Sequence, residues 1–570
     1  MEKETKSLFR NYALQNAIKY SGRAEVSSVI GKILQEKPEL KKEIGSIAKD
    51  IAEAVNSVNN MPLVEQIAEL RKIAPELLEV KTEKKEAGLP ELPDAKGSVV
   101  MRLAPFPSGA LHIGNAKTYL LNAFYAEKYN AKLLLVMDDT IGSKEKQIMP
   151  ESYNLIEEAF AWLNVKYAKP VIYKSDRLEI YYSNAEKIIE KNKAYVCFCS
   201  AEKLRKDREE GNECECRKRS IKENSEEWKK MLKGSYKEGQ AILRIKTSMK
   251  DKNPAFRDRV LFRISNREHP RVGKKYSVWP MLEFSWAIDD HLLGVTHIIR
   301  GKDLMMESEM CKFIWDIFGW KHPVMIHAGL IRIEGLEVKI SKSKAQQEVK
   351  KGIFTGWDDP RTWSIQSLRR RGILAESIRE FVKSIGLNEN DIAVPVDVLY
   401  SINRKRIETS NRYFFVAEPE KIKISAAPDS HPEVQLHPDH PERGTRKFST
   451  MQEFYIAKTD YEQMQKSKGT WRFMHLFNFS GEELSYVSTK MQPELGAKLI
   501  HWLPADKNNE KNIIKTEIQM PDGSILKGLA EPGIKQLKVN DEIQFERFGF
   551  CRLDSINADK TKAVFWFSHK

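Results

Sequence analysis

Cysteine is scarce, with six residues in a chain of 570. That excludes a disulfide-built secreted domain, and in a reducing compartment clustered cysteines more often hold a metal. Long apolar runs are also missing. The longest near the middle of the chain, Leu-Leu-Leu-Val-Met between Lys132 and Asp138, is far too short to cross a bilayer. The opening residues, Met1 to Arg10, lack the cationic start and apolar stretch of an export signal, so a cytoplasmic location is expected. There is no fixed-period repeat and no low-complexity tract. What is present is a polar chain with mean hydropathy −0.51, yet 41% apolar residues, enough for several ordinary cores. At ~150 residues per domain the length points to about four domains. Lys and Arg outnumber Asp and Glu by 94 to 80, a formal charge of +14, which admits a polyanionic partner.

Residues 1–81 read as helices. Val26, Val29, Ile30, Ile33 and Leu34 fall at i, i+3, i+4, i+7 and i+8, one helical face, and Pro38 ends it. Ile44, Ile47, Ile51 and Val55 repeat the pattern, and the Lys- and Glu-rich faces opposite read as solvated surface. Residues 82–97, charged and holding Pro90 and Pro93, read as a linker. Then the texture changes. A β-branched run after Ser98 and the apolar run after Lys132 read as strands. Asn115 to Tyr129 between them reads as a helix. This predicts a parallel βαβ unit. The last stretch is different again. Ile513–Met520, Ser524–Glu531, Glu542–Phe550 and Ala563–His569 are short strand-like pieces with frequent turns, which predicts small antiparallel barrels.

The segment from Arg102 to Ala116, RLAPFPSGALHIGNA, carries the most chemistry. Pro105, Pro107 and Gly109 make a rigid turn after the first strand, and His112, Gly114 and Asn115 open a helix. A helix N-terminus offers unpaired amides and partial positive charge to an anion. Gly114 leaves room for a flat base or ribose, and His112 and Asn115 can donate to one phosphate. Alone, a histidine at a helix start reads as structural. A second segment, VKISKSKA over Val338–Ala345, is a lysine- and serine-rich loop. Its lysines can neutralise charge on a departing pyrophosphate, although alone it reads as a solvated basic loop.

Together the two segments resemble the HIGH and KMSKS signatures of class I aminoacyl-tRNA synthetases. Here they read His112-Ile113-Gly114-Asn115 and Lys339-Ile340-Ser341-Lys342-Ser343. The context narrows the likeness to the glutamyl/glutaminyl subgroup, and to its archaeal-type glutamyl-tRNA synthetases. Asp138-Asp139-Thr140, the stretch from Ile288 to Leu304, Gly356 to Ile373, Asn411 to Ala417, His437 to Phe448, and the last residues from Phe565 all match. The resemblance implies a multidomain α/β plus all-β chain. Its expected parts are the helical region 1–81, the linker 82–97, and a Rossmann-like catalytic domain 98–345. An acceptor-binding insertion at about 195–285 interrupts that domain. A helical connecting domain 346–400 and two anticodon-binding β-barrels in 401–570 follow.

It further implies ATP with Mg²⁺, L-glutamate and tRNA(Glu) as substrates, with tRNA(Gln) as an open alternative, and a monomer that needs no membrane. Pro105, Gly109, His112, Gly114, Asn115, Ser341, Lys342 and Ser343 would bind ATP, with His112, Asn115, Lys339 and Lys342 acting on the transferring phosphate. Arg102, Ala104, Asp138 and Arg300 would hold glutamate. An arginine fork suits a planar carboxylate. The chain departs from many relatives at Asn115, at the flanks of Asp138-Asp139-Thr140, and at Leu282, where a tyrosine is usual. A glutaminyl enzyme, a short nucleotidyltransferase sharing the HIGH segment and a tRNA-binding paralogue without activity are the rivals.

The cysteines form two C-x-C pairs, Cys197/Cys199 and Cys214/Cys216. Four thiolates can close a tetrahedral structural zinc site, with no open position for chemistry. Cys311 and Cys551 stand alone and read as packed. His431, His437 and His440 lie among prolines and read as loop packing.

Overall fold

The computed structural model describes residues 2–19, 22–37, 40, 44–74, 77, 89–142, 147–336, 342–467 and 469–570. The chain forms two compact units, Met1–Ala87 and Gly88–Lys570. The described residues of the first form four α-helices: α1 (Glu2–Lys19), α2 (Val26–Glu36), α3 (Ile44–Asn59) and α4 (Leu63–Ile73). Its core holds Phe9, Leu14, Val29, Ile33, Ile51, Val55 and Leu70, so the apolar stripe of the sequence is the buried one.

The second unit opens with β1 (Val100–Leu103), α5 (Ile113–Lys128), β2 (Lys132–Met137), α6 (Glu151–Trp162), β3 (Ala168–Tyr173) and α7 (Leu178–Glu190). A four-stranded antiparallel sheet follows, with β4 (Ala194–Cys197), β5 (Ile242–Ile245), β6 (Val260–Ile264) and β7 (Val278–Pro280) in that order. Helices α8 (Ala201–Glu210) and α9 (Ile221–Leu232) leave the chain between β4 and β5. The chain then returns through α10 (Leu282–Leu292), β8 (His297–Gly301), α11 (Met305–Phe318) and β9 (Val324–Ala328).

Strands β1, β2 and β3 pair in parallel, as do β8 and β9. The two sets meet at Thr296. Its amide donates to Val100 O at 2.9 Å, and its hydroxyl accepts from Val100 N at 2.9 Å. The resulting order, β3-β2-β1-β8-β9, reverses between β1 and β8. In a doubly wound sheet that reversal opens a ligand crevice beyond the carboxyl ends of the strands.

After β10 (Ile331–Glu334) come α12 (Lys342–Lys350), α13 (Ile365–Arg370), α14 (Ala375–Ile385), β11 (Ile392–Pro395) and α15 (Val396–Ile407). The remainder is β-rich, but closed barrels are not what it forms. One seven-stranded sheet runs from Arg412–Tyr413 at one edge to Phe415–Ala417 at the other. These edges are neighbours in the chain, parted at Phe414, whose amide turns to the Glu531 carboxylate at 2.7 Å instead of a ladder partner. The second expected barrel is a three-stranded and a four-stranded sheet. Aromatic packing joins them: the Phe454 and Phe473 rings lie 4.6 Å apart, and Trp502 touches both. The short-strand texture predicted the strands, while closure depended on long-range pairing that side chains replace here.

Candidate active site

His112 is the N-cap of α5. Its Nδ1 accepts from the amides of Gly114 (3.1 Å) and Asn115 (3.3 Å), and Asn115 Oδ1 accepts from the His112 amide at 3.0 Å. This reciprocal cap stabilises the helix start by about 1 kcal/mol. It also assigns the proton. With Nδ1 accepting, a neutral ring carries its hydrogen on Nε2. Asn115 Nδ2, also a donor, lies 3.1 Å from that atom. Two donors are thus set side by side at a helix N-terminus, chemistry that suits an anionic oxygen. Gly114 is required for a reason closer than any ligand: a Cβ there would lie 2.9 Å from His112 Cε1.

The turn before the helix is fixed from outside. Gly109 has φ +146°, and a Cβ on it would fall 2.1 Å from the Trp357 ring. The helix start is clamped by the segment beyond Trp357: Ile113 N donates to Trp363 O and Ile365 N to Leu111 O. Ala110, Met149, Ala345, Phe354 and Trp357 form one buried cluster. Ala345 of α12 therefore shares a buried cluster with Ala110 of the turn that precedes His112. Lys339 and Ser341 lie outside the described residues, as do the side chains of Lys342 and Ser343.

The crevice between β1 and β8 is lined by arginines that are used differently. Arg102 forks its Nε and Nη2 (2.9 Å) onto Asp290, both side chains being buried. Burial works against its charge, but the Asp290 carboxylate outweighs burial and raises its pKa. Arg300, 4% exposed, is left differently: none of its three side-chain nitrogens makes a hydrogen bond. Its nearest carboxylate oxygen, on Asp290, is 4.0 Å away. Burial, which Arg102 reinforces, pushes its pKa down. Both guanidiniums lie over the Trp286 ring, at 5.0 and 4.5 Å. Asp138 pairs with the fully buried Lys174 at 2.9 Å, and Lys174 also donates to Ser285 Oγ at 2.9 Å. Ala104, at the end of β1, packs on the apolar cluster beside these groups, and Pro105 O accepts from Asp138 N.

Behind Asp138, Asp139 accepts from Ser175 N and Oγ and from Tyr153 OH at 2.7–3.0 Å. Its carbonyl meets His269 Nε2 at 2.7 Å, and the His269 ring stacks on Trp279. Burial raises the Asp139 pKa, against the hydrogen bonds from Ser175 and Tyr153, and burial lowers that of His269.

The cysteines of β4 and of the turn before α9 converge. The sulfurs of Cys197, Cys199, Cys214 and Cys216 lie within 4.8 Å of one another, Cys197 and Cys214 at 3.9 Å. Zinc–sulfur bonds of about 2.3 Å in a tetrahedron place sulfurs about 3.8 Å apart, so the donor set fits the ion. Arg244 Nη1 approaches Cys214 Sγ at 3.7 Å and Cys197 Sγ at 3.9 Å, supplying positive charge and N–H donors beside would-be thiolates. Among the described residues this is the one group of ligand-type side chains so gathered. His437 instead meets Glu408 O at 3.0 Å, and His440 meets Glu442.

The comparisons with known proteins agree along the whole chain. Residues 98–409 match the family described as tRNA synthetases class I (E and Q), catalytic domain. Residues 410–496 and 499–554 match two anti-codon binding domains of the same group. The chain belongs to the class I tRNA synthetases of the E and Q group. It is 43% identical to the glutamate–tRNA ligases of Pyrococcus abyssi and Thermococcus kodakarensis, over 100% of each chain. It is 40% identical to that of Methanocaldococcus jannaschii, over 96% of this chain and 97% of the other.

Sequence reasoning placed Arg102, Arg300 and Asp138 near one another, and the crevice brings them together. It missed what holds them. Arg102 was expected to meet the substrate with its fork, yet two of its nitrogens belong to Asp290, 188 positions along the chain. Trp286, Lys174 and Ser285 carried no motif of their own, and Asp290 lay in a matching stretch that assigned it no role. The helical spacing of Leu282, Trp286 and Asp290 at i, i+4 and i+8 was the signal available, one face of α10 turned to the crevice.

Proposed function

We propose that the protein joins L-glutamate to the 3′-terminal adenosine of tRNA(Glu) at the expense of ATP. The observation that carries the reading is Arg300, a buried guanidinium with three unsatisfied nitrogens at the strand-order reversal of the sheet. A buried unpaired cation is costly, and a carboxylate completes it with two charge-assisted bonds. A glutamine amide offers a single acceptor and leaves donors unpaired, a penalty of about 1–3 kcal/mol, or roughly tenfold to hundredfold. Arg300 then holds the side-chain carboxylate, with Arg102 Nη1 and Ala104 on the same wall. Asp138, already beside Lys174, meets the α-ammonium.

The α-carboxylate of glutamate attacks the α-phosphorus of ATP, forming the mixed anhydride and releasing pyrophosphate. His112 Nε2 and Asn115 Nδ2 hold a phosphate oxygen between them. Pro105, Gly109 and Gly114 shape the turn along which the nucleotide lies. Lys339, Ser341, Lys342 and Ser343 meet the pyrophosphate end. The 2′-hydroxyl of the tRNA terminus next attacks the anhydride carbonyl and AMP leaves. Positioning and charge stabilisation supply the rate, and no side chain acts as a general base. Mg²⁺ accompanying ATP would neutralise phosphate charge. Cys197, Cys199, Cys214 and Cys216 would hold a structural Zn²⁺ that ties β4 to the following helices. The β-rich region from Arg412 onward would read splayed anticodon bases by stacking and edge contacts.

Charging of purified tRNA(Glu) and tRNA(Gln) transcripts with labelled glutamate and glutamine tests this. The expected result is glutamate-dependent charging of tRNA(Glu), with glutamine at least tenfold poorer in kcat/KM. Charging with glutamine alone would assign the glutaminyl reaction, and no charging at all would leave a tRNA-binding paralogue.

A further inference from the structure

Arg300 is not alone in lacking partners. The indole Nε1 of Trp286 is also buried without a hydrogen bond, on a residue 4% exposed. Other buried indoles share that feature, among them Trp228, Trp279, Trp357 and Trp471. Trp286 differs in its company. Three cations surround its ring: Arg300 at 4.5 Å, Arg102 at 5.0 Å and Lys174 at 5.1 Å. Two of them already have carboxylates, Asp290 for Arg102 and Asp138 for Lys174. The third, Arg300, has none within hydrogen-bonding reach. Four unsatisfied donors, three from Arg300 and one from Trp286, therefore belong to two residues in direct contact, the Arg300 guanidinium lying 4.5 Å from the Trp286 ring. One turn earlier on the same face of α10, Leu282 contributes no polar atom.

We propose that Trp286 is a specificity-determining residue whose indole N–H donates to the side-chain carboxylate of the amino-acid substrate, beside Arg300. The inference rests on the reading of that substrate as glutamate. A carboxylate has two oxygens and about four lone-pair sites, enough to accept Arg300 and the indole together. The indole is a donor only and cannot turn to accept from an amide, so it favours an acceptor-only side chain. Its π faces also attract the three cations around it, which helps keep Arg300 oriented before the ligand arrives.

The decisive variant is Trp286→Phe, which keeps an aromatic ring and deletes the donor. The expected result is a rise of about tenfold or more in KM for glutamate during charging of tRNA(Glu). The KM for ATP and the affinity for tRNA should stay within twofold. Trp286→His, which restores a ring N–H, should recover part of the loss. A role in packing alone would lower stability or kcat without moving the glutamate KM selectively.

Should the variants fail to fold, the wild-type protein labelled with 5-fluorotryptophan answers the same question. Saturation with glutamate, ATP and tRNA(Glu) should shift one indole fluorine signal, and ATP with tRNA alone should not. A folded Trp286→Phe protein with unchanged glutamate KM, or a fluorine spectrum indifferent to glutamate, would overturn the proposal. Wild-type protein that charges no glutamate would instead remove the reading on which it rests.

Discussion

Arg300 and Arg371 are both buried, at 4% and 0% exposure, yet they sit in opposite circumstances. Arg371 follows α13 and locks the β-rich region onto the catalytic unit. Its Nη2 donates to Ser568 O at 2.8 Å and Tyr400 OH at 3.0 Å, its Nε to Phe567 O at 3.2 Å, and its charge lies over Trp363. Next to it, Arg370 pairs bidentately with Asp554. At this junction Arg371 finds backbone carbonyls for two of its nitrogens, with Nη1 left over, and Arg370 finds the Asp554 carboxylate. In the crevice, Arg300 finds none. The difference separates an arginine that builds structure from one whose partner comes from outside.

The two sites should therefore break in different ways. The largest effect is expected from Arg300→Gln. Loss of a charge-assisted carboxylate contact should lower kcat/KM for glutamate by roughly a hundredfold to a thousandfold. Because the wild-type charge is buried and unpaired, thermal unfolding should show no loss of stability. A lowered melting temperature with normal glutamate kinetics would make Arg300 a structural residue and erase the contrast. Arg371→Met should do the reverse. It leaves two carbonyls without donors and should cost about 3–5 kcal/mol in unfolding free energy. The glutamate KM of the folded fraction should be unchanged, and calorimetry beside steady-state kinetics separates these outcomes.

How much of this was readable in the chain follows the same division. His112, Gly114 and Asn115 were legible because their work is local: the cap, the glycine and the helix start lie within four residues. The C-x-C pairs were legible because spacing alone limits what four thiols can do. The role of Asp290 was not, since it stood in a matching stretch with no role assigned and its partner Arg102 is 188 positions away. Trp286 was hidden likewise, an apolar residue on an apolar stripe until its unsatisfied nitrogen and three cations come into view. The barrels failed for a third reason. Strand texture is local, but closure requires edges to pair, and at Phe414 a side-chain carboxylate takes the amide that would have continued the ladder. The basic loop at Lys339–Ser341 lies outside the described residues, and the helix after it is located by Ala345 in the cluster with Ala110, Met149, Phe354 and Trp357 and by Lys350 donating to Gln147 Oε1 at 3.0 Å.

The smallest effect concerns acid, and it belongs to the junction. His569 ends the strand Lys562–His569 whose Phe567 and Ser568 carbonyls hold Arg371, with Asn403 Nδ2 donating to its Nε2 at 3.1 Å and its Nδ1 donating to Lys570 O at 3.0 Å. That network satisfies the neutral ring, and a second proton on Nε2 would face the Asn403 donor. Burial pushes the His569 pKa down to about 4, with Arg404 and Arg371 adding to it. Buried His501, beside Arg547, is lowered to about 4 by the same leading cause. In the unfolded chain each titrates near 6.5, so below that pH the unfolded state binds the extra proton. Stability is then lost as pH falls from about 6.5 towards 4, and each histidine contributes about 2 kcal/mol of that loss between pH 7 and pH 5. Calorimetry of His569→Phe should show a shallower fall over this range than wild type. The Arg300→Gln variant should keep the wild-type slope. An acid slope that follows Arg300 instead of His569 would place the acid-sensitive group in the crevice and not at the junction.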